Sequence, residues 1–200
     1  MANGKKLQNI HNTLLPNTDQ TTLQNFSGWI SLDATINQNA MYLDGIAIEK
    51  DSLSSTIGIF DNTIAQENKI SQITPITANG FISYTYDDYI SLKRNLSLAQ
   101  DREFEDIPNE LDELLSNASE IGMIFMEKEK VVTINSLAID TAREYLGDNR
   151  IETYRNTPIY SYGNPTSFSQ ILTPLFTDFD AKYFFIKYEL IVLGNTTGSL

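Results

Sequence analysis

Three tyrosines and two aspartates fall within six positions of FISYTYDDYISLKRNLSL, Phe81 to Leu98. Tyr84, Tyr86 and Tyr89 offer aromatic faces for stacking. Asp87 and Asp88 beside them offer carboxylates that accept from hydroxyls. The five residues are therefore the candidate interface or ligand site, and a glycan is the small ligand that this combination suits. The same stretch also reads as an amphipathic hairpin. Ile82, Tyr84 and Tyr86 would share one face, with the turn at Asp87-Asp88-Tyr89 and Ile90, Leu92, Leu96 and Leu98 continuing on the return strand. A helix is the competing reading for its second half. Asp88 would cap it, and Tyr89, Leu92, Leu96 and Ala99 would line one side.

Other chemistry-bearing residues are sparse. His11 is the only histidine and lies in a polar N-terminal stretch, a poor place for a general base. The chain has no cysteine, which removes disulfides, thiolate catalysis and Cys-ligated metals. Phosphate-loop, dinucleotide-loop and nucleophile-elbow motifs are missing. The densest acidic run is Asp101, Glu103, Glu105, Asp106, Glu110, Asp112 and Glu113. Counted as a calcium loop from Asp101 it fails, with Asp106 where the turn glycine belongs and Asp112 where the closing glutamate belongs. A solvated helix start explains the run better. The reading is non-enzymatic, with no cofactor and no metal.

Composition narrows the partners. The net charge is −12 with 14 basic residues, so a nucleic-acid backbone is a poor partner. The chain carries 18 Asn and 19 Thr, a neutral, hydrogen-bonding surface of the sort that packs against proteins. No stretch reaches the roughly 20 apolar residues of a membrane span. The N-terminus lacks the apolar run of a signal peptide. The expectation is a soluble chain, cytoplasmic or associated with a particle.

The elements that must position these residues follow from periodicity. Residues 1–22 read as a polar arm, and 23–200 as one α+β domain, β-rich over 26–98 and mixed over 108–195. GWISLDATI, MYLDGIAIEK and SSTIGIFDN read as strands, and ISQITPITANG as an edge segment with Pro75. A helix is predicted after Pro108 with Leu111, Leu114 and Leu115 on one face. IGMIFME and KVVTI follow as strands. Asn135 or Ser136 would cap a second helix ending at Gly147. KYFFIKYELIVLG reads as one long central strand. The predicted architecture is a mostly antiparallel sheet with two or three helices on one side.

Two stretches are similar to known families. FISYTYDD resembles the opening strand of a TIR domain, although only 22 residues (89–110) separate it from the helix and strand at Leu111–Phe125, too few for the second TIR unit. Leu111 to Asp148 resembles the start of a PAS domain, which would imply a small-ligand sensor. Taken together the sequence points to a structural or assembly subunit of a larger particle, of the phage tail, neck or injection-machine type. Such a subunit would join other subunits, itself included, through strand addition. The alternatives are a glycan- or small-ligand-binding domain and an acidic immunity or inhibitor protein.

Overall fold

The structure, a computed structural model, describes residues 29–38, 41–48, 55–109, 111–137, 139–177 and 179–200. The predicted arm, His11 included, lies outside them. Strands β1 (Trp29–Ile36) and β2 (Met41–Ile48) form an antiparallel two-stranded hairpin. Seven more strands make one sheet: β3 (Gly80–Thr85), β4 (Ala118–Phe125), β5 (Lys130–Ser136), β6 (Arg150–Tyr154), β7 (Thr157–Ser161), β8 (Tyr183–Lys187) and β9 (Leu190–Gly194). Their order is β3-β4-β5-β9-β8-β7-β6, with every neighbouring pair antiparallel. Among the described residues five helices accompany them: α1 (Ile70–Ile73), α2 (Tyr89–Ala99), α3 (Asp112–Ser116), α4 (Ile139–Leu146) and α5 (Ser167–Leu172). The architecture is α+β, as the sequence predicts. The TIR-like stretch forms β3, an edge strand of an antiparallel sheet, where a TIR domain would require a parallel one.

The period-two alternation of the strands divides the sheet into two unlike faces. One face presents Ile82 and Tyr84, then Ile121, Met123 and Phe125, then Val132 and Ile134, Ile191 and Leu193, and Phe184. Against it pack Leu92 and Leu96 of α2, Leu114 and Leu115 of α3, Ala142 and Leu146 of α4, and Phe168, Ile171 and Leu172 of α5. These side chains form one continuous buried cluster. The opposite face carries Ser83, Glu120, Gly122, Thr133, Asn135 and Leu190, and among the described helices only α1 lies on it. Gly122 lets α1 approach: a Cβ there would stand 2.1 Å from Cδ1 of Ile70. Glu120 fixes its start. The carboxylate accepts from the amides of Lys69 at 2.8 Å and Ile70 at 3.1 Å, and from the Ser83 hydroxyl at 2.6 Å.

Several predicted elements take other forms. The second half of the opening stretch is helix α2. The Asp88 carboxylate accepts from the amides of Ile90 and Ser91 at 2.9 and 3.3 Å, and Tyr89, Leu92 and Leu96 then turn inward with a 3.6-residue period. The Ser91 hydroxyl bonded to Asp88 holds that carboxyl below the usual range. SSTIGIFDN is a 3-10 turn, Thr56–Phe60, because the Ser55 hydroxyl accepts from the amide of Gly58 and starts a coil there. ISQITPITANG contains α1 in place of an edge strand, since Glu120 supplies a cap that no local residue offers. Asn135 and Ser136 are the last residues of β5, and the helix that follows starts at Ile139. Gly147, at φ +106°, ends it as predicted. KYFFIKYELIVLG folds back on itself about Tyr188 and Glu189 into β8 and β9. Its inward residues are consequently Phe184, Ile186, Ile191 and Leu193, and β9 occupies the centre of the sheet.

Candidate functional site

The tyrosine–aspartate cluster is brought together, but around the protein's own interior. Tyr86 and Tyr89 are fully buried. The Tyr86 hydroxyl donates to the carbonyl of Leu115 at 2.9 Å, and the Tyr89 hydroxyl to Asp112 at 3.2 Å. Tyr84 is half-buried, stacked on Phe60 with ring centres 5.4 Å apart and edge-on to Phe176 at 5.5 Å. No tyrosine ring of the three presents an open face. Asp87 and Asp88 are the exposed members: Asp87 accepts from the amide of Ile64 at 2.7 Å, and Asp88 caps α2. The cluster joins β3, α2 and α3.

Burial pushes all three hydroxyls above their ordinary value of 10.0. Each folded-state value is raised, so the stabilisation is complete below the unfolded value and is lost as pH rises through the folded one. Stability measured by urea melts is expected to be unaffected by these tyrosines up to about pH 10, then to fall steeply. A melt midpoint unchanged well above that pH would contradict their burial.

Exposed apolar surface among the described residues lies elsewhere, on the β1–β2 hairpin. Cross-strand register sets Ile30 opposite Ala47, Leu32 opposite Gly45, Ala34 opposite Leu43, and Ile36 opposite Met41. Residues directly opposite in an antiparallel pair share a face. One whole face of the hairpin is therefore apolar across eight residues, without a charge or hydroxyl. The other face pairs Trp29 with Ile48, Ser31 with Ile46, Asp33 with Asp44, and Thr35 with Tyr42. It is mixed: two carboxylates stand opposite each other at its middle, Ser31 and Thr35 flank them, and Trp29, Ile46, Ile48 and Tyr42 supply its apolar part. Burial of such residues is the usual reason for their alternation, yet here only Ile30 is buried. Ile36 is 75% and Ile46 69% exposed, and Trp29, Leu32, Tyr42, Leu43 and Ile48 are exposed as well. Neither strand packs substantially on another described element.

The sequence did carry this signal. The alternation of Trp29, Ser31 and Asp33 against Ile30, Leu32 and Ala34 is legible by eye. What it could not tell is that the apolar side would be turned to solvent. Among the described residues no three acidic or histidine side chains gather as a metal centre would require, and no helix is long and apolar enough to cross a membrane. No family model, curated protein or solved structure matches the chain.

Proposed function

We propose that the protein is a non-enzymatic assembly subunit whose β1–β2 hairpin joins it to further copies of itself within a larger particle. One observation carries the reading: a hairpin with one wholly apolar face, exposed beyond Ile30, and a second face that is half apolar. A two-stranded hairpin is only marginally stable alone in water, and both of its edges offer unpaired backbone groups. Contiguous exposed apolar surface of this kind marks a contact zone.

The choice of a second copy as occupant rests on charge and on area. Copies with a net charge of −12 each repel wherever acidic groups meet, so they can join only where charge is absent, as on the Ile30-to-Met41 face. Eight residues at about 3.4 Å each, two strands wide at about 4.8 Å spacing, give a flat face of roughly 270 Å². A stable pairing buries about 800 Å² per partner. One face is too small, which supports engagement of both faces and the edges. A hairpin held on two sides by neighbours makes assemblies larger than a pair.

The test uses the full chain. The double variant Ile36→Asp with Leu43→Asp places two carboxylates on the apolar face, where burial would leave them unpaired. Sedimentation velocity is expected to show association weakened by at least about 100-fold, roughly 3 kcal/mol. Thr35→Asp, on the other face and beside the existing carboxylates, is expected to weaken it less. Added salt screens the mutual repulsion and is expected to strengthen association of the wild type. Unchanged association in the double variant would remove the hairpin from the interface.

A further inference from the structure

A cavity of about 390 Å³ opens on the sheet face that carries α1, with no hairpin residue in its lining. Its floor is Thr133 and Asn135 of β5 with Leu190 of β9 and Phe185 of β8. One wall is Ile70 and Ile73 of α1. The other wall is the β8–β9 turn, where Tyr188 sits at φ +57°, a backbone conformation that costs a residue with a side chain about 1–3 kcal/mol. Across the mouth the Lys69 ammonium lies 3.4 Å from the Glu189 carboxylate, joining the two walls.

The polar groups of this cavity are unevenly satisfied. Glu120 is 2% exposed and its carboxylate is occupied by two amides and the Ser83 hydroxyl, so it offers a ligand nothing. Asn135 is 7% exposed, and its amide nitrogen has no hydrogen-bond partner. Leaving a buried donor unmade costs about 1–3 kcal/mol, and a structural position would be better filled by leucine or valine. Asn135 lines the cavity, and its amide can turn about a broad terminal torsion. What is lacking is an acceptor. Beside it, Lys187 lines the cavity, with its ammonium 5.7 Å from the Tyr188 ring and no carboxylate partner among the described residues. Lys69 is paired with Glu189, so Lys187 is the cation this cavity offers a ligand.

We propose that this cavity binds a small monocarboxylate with an apolar body. The carboxylate accepts from the Asn135 amide and from Lys187, and the body lies among Ile70, Ile73, Phe185 and Leu190. The volume falls in the range of small-molecule pockets, about 300–1,000 Å³. This binding is separate from the hairpin contact, and either can fail without the other.

Isothermal titration of the full chain with octanoate and with 3-phenylpropanoate tests it, with octan-1-ol as the uncharged control. At least one acid is expected to bind saturably at one site, and the alcohol at least tenfold more weakly. Lys187→Met, an exposed position, and Asn135→Ala are each expected to weaken the acid about tenfold. Asn135→Leu is expected to abolish binding while leaving the thermal midpoint equal or higher, because the amide it removes has no partner. Absence of saturable binding by both acids, equal binding of the alcohol, or unchanged affinity in Asn135→Ala would each overturn the proposal.

Discussion

Replacing Tyr86 by alanine is expected to destabilise the protein by about 4–5 kcal/mol, close to what many domains possess in total. The ring is 1% exposed and stands at the junction of β3, α2 and α3, 6.3 Å from the ring of Tyr89. Removing a buried aromatic costs about 3–5 kcal/mol through lost transfer energy and the cavity left behind. The Leu115 carbonyl, near the end of α3, also loses one of its two donors, a further cost of up to about 1 kcal/mol. Tyr86→Phe keeps the ring and loses only the hydrogen bond, so about 1–1.5 kcal/mol is expected. Urea melts compared at constant slope resolve both values. A tyrosine that served as a ligand platform would behave otherwise: its alanine variant would fold at near wild-type stability. That outcome would contradict the structural role assigned to the opening stretch.

The second large effect concerns a buried cation. Lys93 has a side chain only 4% exposed, on the inward side of α2. Its ammonium donates to both oxygens of Asp112 at 2.9 and 2.7 Å and lies 5.3 Å from the centre of the Phe104 ring. Asp112→Ala leaves that ammonium buried with the ring alone, and removes the acceptor of the Tyr89 hydroxyl. Breaking a fully buried pair costs about 3–5 kcal/mol. Here the Asp112 side chain is 30% exposed and water can reach the vacated space, so about 3 kcal/mol is expected. Lys93→Met acts differently. It keeps the aliphatic packing of the stem, and the carboxylate that remains is solvated and still holds Tyr89, so less than about 1.5 kcal/mol is expected. The asymmetry is the informative quantity in melts of the two variants at neutral pH. Equal costs would mean that the pair contributes by attraction alone and that Lys93 is not isolated from water.

The parts of this fold that the sequence makes legible are those set by neighbours a few residues apart. The alternation of β1 and β2, the leucine face of α3, the strands β4 and β5, and Gly147 at a helix end all belong to this kind. The misreadings share a different cause. Tyr188 and Glu189 are not turn formers, so nothing local announces that β8 and β9 are two strands; the pairing of Phe185 with Val192 and Ile186 with Ile191 imposes the turn. Helix α1 is four residues long and owes its start to Glu120, fifty positions away. At Tyr89 two local patterns compete, alternation and a 3.6-residue period. The helix wins because it lets Asp88 cap the first turn and delivers Lys93 to Asp112.

The candidate sites divide in the same way. Tyr84, Tyr86 and Tyr89 drew notice by their chemistry, and the structure uses them as core. The hairpin has the pattern of ordinary strand, and its significance depends on its exposure among the described residues. Asn135 stood out only as a possible cap, because a polar residue on the outer side of a strand carries no mark of being buried without a partner.

The mass of the full chain in solution, measured by light scattering across the micromolar range, tests the proposed assembly most directly. The expected result is a mass of at least twice the 22.6 kDa of one chain, rising with concentration and with salt, and returning to one chain in the Ile36→Asp, Leu43→Asp variant. A mass of 22.6 kDa at every concentration and salt, with the hairpin intact, would contradict it.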